Sequence, residues 1–195
     1  MARPRKNPSI APTNIRILDA AESAFGARGY LGTSLDEIAE IVGIRSPSLL
    51  YHFSSKAALY EAVTHRLFND LRESLVPVMT TTEGYADRVG GLMEAFLHFV
   101  EQRKAFAPIV LREVINGQGP ARDILSTQIP FIIDEVIAWI EEAGQGHRPE
   151  GVPLRGALMS LCSDALIQAS SGTLRTPLWG PESKTMELFG RLMLK

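Results

Sequence analysis

Residues Gly29–Val63 read GYLGTSLDEIAEIVGIRSPSLLYHFSSKAALYEAV, and their caps and apolar spacing decide the fold of this part of the chain. Ser34-Leu35-Asp36-Glu37 has the form of a capping box, in which the Ser34 hydroxyl accepts from the third helical N–H and Glu37 reaches back. Leu35, Ile38, Ala39 and Val42 then recur at helical spacing, and Gly43 ends the helix where a left-handed residue is wanted. Only Ile44 and Arg45 precede the next start signal, with Ser46 as N-cap and Pro47 at the first helical position, where a missing N–H does no harm. The spacing predicts a second helix of about two turns, Pro47 to Phe53. Leu49, Leu50 and Phe53 are available for packing, while Ser46, Ser48, Tyr51 and His52 face outward. Ser54-Ser55 caps a long helix beginning at Lys56. Two short helices joined by a tight turn make a shape that enters the DNA major groove.

The chemistry of the outward residues distributes their roles. Ser48 and Tyr51 reach base edges, and the Tyr51 ring also offers an apolar edge to a thymine methyl. His52 and Lys56 suit phosphates, as does Ser34 at its helix N-terminus; Arg45, in the turn, suits backbone or base. The alternative is that Tyr51 and His52 cover the small core of the helical head itself.

Working outward, charge points the same way. Residues 1 to 16 hold Arg3, Arg5, Lys6 and Arg16 and no acid, although the whole chain of 195 residues carries a formal net charge of -2. Residues 1 to 56 have net charge +2, and the remainder net -4. A basic arm before a helix-turn-helix lies along phosphates or in a minor groove; the alternative for ARPRKNP is a solubilising terminus. The single cysteine, Cys162, excludes an intrachain disulfide and fits a reducing compartment. It lies in the apolar run LRGALMSLCSDALIQA, which favours a packing role over redox sensing. No run has the length of a membrane span, and the N-terminus lacks a signal-peptide core, so a cytoplasmic location is expected.

Glycines and prolines divide the rest. The fourth helix is expected from about Ser55 to Leu75, ended by Pro77 and Thr80–Thr82, with Leu59, Val63, Leu67, Leu71 and Leu75 as its stripe. A fifth runs from Tyr85 to Arg103, a sixth from Phe106 to Ile115, and a seventh from Pro120 to Ala143 with Pro130 kinking or dividing it. After a loop at Gly144–Gly151, an eighth helix spans Pro153 to Thr173 and a ninth Glu182 to Leu194. The fold class is all-α, about nine helices: a head over 1–56 and a helical bundle over 57–195. One short recognition helix reads few base pairs, so a twofold dimer is expected, placing two such helices about one DNA turn (~34–36 Å) or a multiple apart. Met186, Phe189 and Met193 share one face of the last helix, with Leu188 and Leu192 beside them, as a dimer surface. The alternative is that this face docks on its own subunit.

Residues 13 to 63 resemble the DNA-binding head of the TetR family of bacterial transcription regulators. The matching pieces are ILDAAESAFGARGY, TSLDEIAEIVGI and SPSLLYHFSSKAAL, in order. The resemblance implies DNA contacts at Thr33, Ser46, Pro47, Ser48, Tyr51, His52 and Lys56. Leu50 departs from the pattern, standing where the family usually has tyrosine, so any contact made by that hydroxyl is absent. The resemblance also implies a homodimer joined through the last two helices, and a pocket in the bundle whose small-molecule effector swings the fourth helix and releases operator DNA. Candidate lining residues are Met93, Phe96, Phe99, Phe106, Trp139, Met159 and Cys162, and His98, Arg112, Glu113 and Gln168 are candidate polar partners. That set favours an apolar effector; ordinary core packing is the alternative.

Other classes find less support. His52, His65, His98 and His147 show no metal-ligand spacing, and the chain carries no phosphate loop, nucleophile elbow or cofactor motif. An enzyme is therefore not expected. The competing reading is a dimeric binding protein that acts through protein contacts, its operator recognition impaired by Leu50.

Overall fold

The computed structural model describes residues 11–80, 84–117, 119–143, 151–181 and 184–193, with the backbone alone for 143, 192 and 193. The basic arm (Arg3, Arg5, Lys6), Thr81, Thr82, His147, Glu182 and Leu194 lie outside the described residues, as do the side chains of Leu192 and Met193. Among the described residues every regular element is helical: α1 Thr13–Arg28, α2 Leu35–Val42, α3 Ser46–His52, α4 Lys56–Met79 and α5 Tyr85–Gln102. Then follow α6 Phe106–Asn116, α7 Arg122–Ala143, α8 Leu154–Ser170, a 3-10 turn Gly172–Leu174, α9 Arg175–Trp179 and α10 Thr185–Met193.

In the head, α1 packs on α2 and α4, and α3 packs on α2. Ile17, Phe25, Ile38 and Leu49 are wholly buried there. The cap expected at α2 forms by half. Ser34 Oγ accepts from the Glu37 N–H at 3.2 Å, but the Glu37 carboxylate pairs with Arg28 at 2.8 Å instead of turning back. Gly43 ends α2 at φ 73°, as the spacing requires. Ser46 is inside α3, not its cap: Arg45 holds the cap position, and the Ser46 hydroxyl donates to the Asp36 carboxylate. That bond to a charged acceptor on the neighbouring helix directs the hydroxyl across to α2. Leu50, expected to pack, is 44% exposed.

Beyond the head, α4 packs against α5 and α7, α6 against α7 and α8, and α10 against α5 and α8. Ser55 caps α4 by accepting from the Ala58 N–H at 3.0 Å. The helix continues four residues past its expected end, taking Pro77 into its last turn, and closes where Thr80 bonds back to the Val76 carbonyl. Pro130 neither ends nor divides α7. The expected eighth helix stops at Ser170, and the segment after it turns into α9, whose five residues RTPLW are too short to show periodicity. The Trp179 indole N–H secures α9 by donating to Asp164 of α8 at 2.8 Å. On α10, Phe189 is 1% exposed and Met186 is half-buried, so the face expected to join two subunits docks on its own subunit instead. α10 reaches α5 and α8 with that face, which leaves Leu188 outward at 48% exposure.

Candidate nucleic-acid interface and ligand cavity

α3 is a short helix with one buried residue. Leu49 is wholly buried, and each step along the helix turns by about 100°, so Pro47 and Tyr51 point away from the core. Tyr51 is 88% exposed, its ring edge-on to His52 at 5.6 Å. Arg45, Pro47, Ser48 and His52 are also exposed, as is Ser34 at the start of α2; Ser46 is half-buried. These side chains share one end of the head, and among them are hydroxyls, an imidazole and a guanidinium, which suit base edges and phosphates.

Two expected contacts have other occupations. Thr33 is buried, its hydroxyl within reach of the Gly29 carbonyl at 2.9 Å and the Ala24 carbonyl at 3.2 Å, so its side chain closes the turn after α1 and does not face outward. A threonine in a tight turn satisfies the free carbonyls of the preceding helix, a demand invisible in the motif alone. Lys56 is half-buried: its ammonium donates to the Thr33 carbonyl at 2.9 Å and lies 4.4 Å from the centre of the Tyr30 ring. It ties the start of α4 to the α1–α2 turn.

The body holds a cavity of about 170 Å³, partly open to solvent beside exposed Val114 and Met159. Five of the expected residues line it: Met93 and Phe96 of α5, Phe106 of α6, and Met159 and Cys162 of α8. Three do not. Phe99 stands behind Phe106, edge-on at 5.1 Å. Trp139 donates its indole N–H to the Met79 carbonyl at 2.9 Å and stacks under Arg88, closing the end of α4. Arg112 points the other way along α6 and donates to the Phe25, Gly26 and Ala27 carbonyls at 3.1, 2.7 and 3.2 Å, completing the C-terminus of α1. A guanidinium is drawn to the negative end of a helix, and an apolar cavity offers it nothing comparable.

The expected polar partners likewise do not face the cavity. Glu113 accepts from the Tyr60 hydroxyl at 2.9 Å; burial, with the neighbouring carboxylate, pushes the Tyr60 phenol well above the usual range. Gln168 donates to Asp164 at 2.7 Å and is not among the cavity residues, and His98 is exposed. α4 and α7 also contribute to the wall, including Leu71, Leu75, Ile133 and Val136, which periodicity places inward without saying what they face. Phe189 of α10 adds to the wall, and among the described residues Ser163 brings the one hydroxyl. Burial pushes the Cys162 thiol up to about 12, so at neutral pH it is a small apolar wall residue.

α6 links the cavity to α1 of the head. Its Phe106, Val110 and Val114 face the cavity, while Arg112, on the opposite side, grips α1. Gly26 of α1 lies so close to the α5–α6 junction that a β-carbon there would fall 2.6 Å from that of Ala105. Arg66 of α4 pairs with Asp19 at 2.6 Å and Glu22 at 2.5 Å on α1, and Arg103 pairs with Asp70 of α4.

Among the described residues no group of histidines, cysteines and carboxylates could hold a metal, and no helix is long and apolar enough to cross a membrane. Residues 17–63 match the family model described as "Bacterial regulatory proteins, tetR family". The chain is 38% identical over 86 residues to the HTH-type transcriptional activator FasR of Mycolicibacterium smegmatis, covering 44% of this chain and 39% of that protein. It is 33% identical over 88 residues to IcaR of Staphylococcus aureus, a negative transcriptional regulator of the biofilm operon icaADBC, covering 45% and 47%. These matches span less than half the length of either relative. Among solved structures, the ketosteroid transcriptional regulator KstR2 of Mycobacterium tuberculosis superposes with a TM-score of 0.73 at 17% identity, over 96% of this chain and 98% of that one. AibR, solved with isovaleryl coenzyme A and operator DNA, gives 0.75 at 19%, over 93% and 98%. At those identities the likeness is one of fold.

Proposed function

We propose that the chain is a TetR-family regulator, a sequence-specific repressor released from a palindromic operator by a small apolar effector. The observation that carries this reading is α3, which presents Tyr51 at 88% exposure on a helix anchored by the wholly buried Leu49. Ser34, Arg45, Ser46, Pro47, Ser48 and His52 complete the proposed DNA surface. Tyr51 and Ser48 take base edges; the others take phosphates or the groove wall. Thr33 and Lys56 support that surface from behind.

The acting species is a homodimer, since one α3 reads too few base pairs to find a site alone. Exposed Ile167 of α8, Leu178 of α9 and Leu188 of α10 support joining through these helices. The division of labour is residues 1–56 for DNA and 57–195 for effector and dimer. The cavity's apolar wall suits an effector whose buried part carries no charge. Release follows if effector in the cavity moves α6 and α4, because Arg112 and Arg66 connect those helices to α1. The effector need only favour the wrong head spacing by a few kcal/mol.

The test is selection of bound sequences from random DNA by the purified protein, then footprinting with wild type and Tyr51→Ala. A protected palindrome lost in the variant, and released by apolar compounds that also raise the melting temperature, is the expected result. Binding without sequence preference would favour a protein that acts through protein contacts.

A further inference from the structure

We propose that Leu50 reads DNA bases, its side chain resting on the 5-methyl group of thymine in each half-site; this builds on the DNA-binding role of α3. Leu49 marks the buried pole of α3 at 0% exposure, and Tyr51 and Pro47 mark the opposite pole. Ser48 and Leu50, one residue either side of Leu49, therefore form the two flanks. The flanks differ in chemistry. Ser48 is followed one turn on by His52, and both are exposed and polar. Leu50, 44% exposed, follows Pro47 by three residues and half-buried Ser46 by four, so its flank is apolar except for the Ser46 hydroxyl, which donates to Asp36. The Tyr51 ring stands edge-on to His52 at 5.6 Å, against the polar flank, so it does not cover Leu50.

Docking α3 in a groove takes water from both flanks. Against phosphates, sugars or purine acceptors, the Leu50 flank would strip hydrogen-bonding groups of water and return no partner. The major groove offers one apolar feature, the methyl of thymine, and contact there removes apolar surface from water on both sides. Leu50 thus adds a thymine requirement beside the bases read by Tyr51 and Ser48.

Uracil in place of thymine deletes that methyl and leaves the hydrogen-bonding edge intact. The full-length protein is first used to select a preferred site from random DNA. Affinities are then measured for that site with each thymine in turn replaced by uracil, for wild type, Leu50→Ala, Leu50→Met and Tyr51→Ala. At one thymine per half-site, uracil is expected to weaken wild type about fourfold, the worth of one buried methyl. Leu50→Ala should bind the thymine site more weakly and be indifferent to uracil there, whereas Leu50→Met and Tyr51→Ala should stay sensitive. Equal uracil losses in wild type and Leu50→Ala at every position would overturn the proposal, as would a sensitivity that disappears only in Tyr51→Ala. If selection enriches no sequence, the DNA-binding reading itself fails, which is evident before any uracil is introduced. Unchanged melting temperatures for the exposed Leu50 variants separate a lost contact from a lost fold.

Discussion

The head and the body set out bulky apolar side chains in opposite ways. On α3 one leucine is buried and the next residues, Leu50 and Tyr51, stand exposed; in the body, α5, α6 and α8 turn Met93, Phe106 and Cys162 towards a common cavity. A surface that must be wet in one state and dry in another carries few side chains and little of the core. A cavity wall belongs to the core, so it bears on stability and recognition together. The difference teaches that changes on α3 should alter binding without touching the fold, while changes in the wall should do both.

Phe106→Ala should break the wall most severely. Phe106 is 3% exposed and packs edge-on against Phe68 and Phe99, so denaturant unfolding is expected to show a loss of about 3–5 kcal/mol. A loss under 1 kcal/mol would mean that the wall collapses freely and is no fixed pocket.

Cys162 sharpens the same side of the comparison. With its thiol pushed up to about 12, alkylation at pH 8 should be on the order of a thousandfold slower than for a free cysteine. Because the folded state holds this proton above the unfolded thiol's range, stability should fall as pH rises from the usual thiol range towards 12. Cys162→Ala should flatten that slope below the range where the buried Tyr60 phenol adds its own; rapid labelling of the folded wild type would contradict the burial.

On the head side, Tyr51→Ala should cost roughly 1–3 kcal/mol in specific DNA binding and relax preference at one base pair per half-site. Its stability should stay within about 0.5 kcal/mol of wild type, since the side chain is exposed. A variant that binds normally but melts early would reverse the contrast between the regions.

The smallest effect is expected at the join. Ser55→Ala removes the cap of α4 and should cost about 1 kcal/mol by thermal unfolding, with the order of operator preferences unchanged.

Most helix boundaries were legible in the sequence because caps and breakers act within a few residues. Ser34, Gly43, Ser55 and Gly117 each do locally what their chemistry demands. Where a distant group competed, the local reading missed. Ser46 left its cap role for Asp36 and Glu37 turned to Arg28, and α9 has too few residues to show a period. The same divide runs through the candidate sites. Outward positions on α3 follow from one buried leucine and a fixed turn per residue.

Periodicity gives a side chain's direction from its own helix axis, and says nothing of what lies across from it. Val110 and Arg112 fall on opposite sides of α6 by arithmetic alone, but that one side would meet a cavity and the other the end of α1 required the packing of α4, α5, α7 and α8 around them. The sequence by itself determined the helical head, the polarity of α3 and the inward stripes of the body. Tertiary structure decided that Thr33 and Lys56 face the turn, that Phe189 docks on its own subunit, and that Trp139 and Arg112 tie helices together and do not line the cavity. Burial and hydrogen bonding are settled between elements, and no element carries its partner's position in its own period.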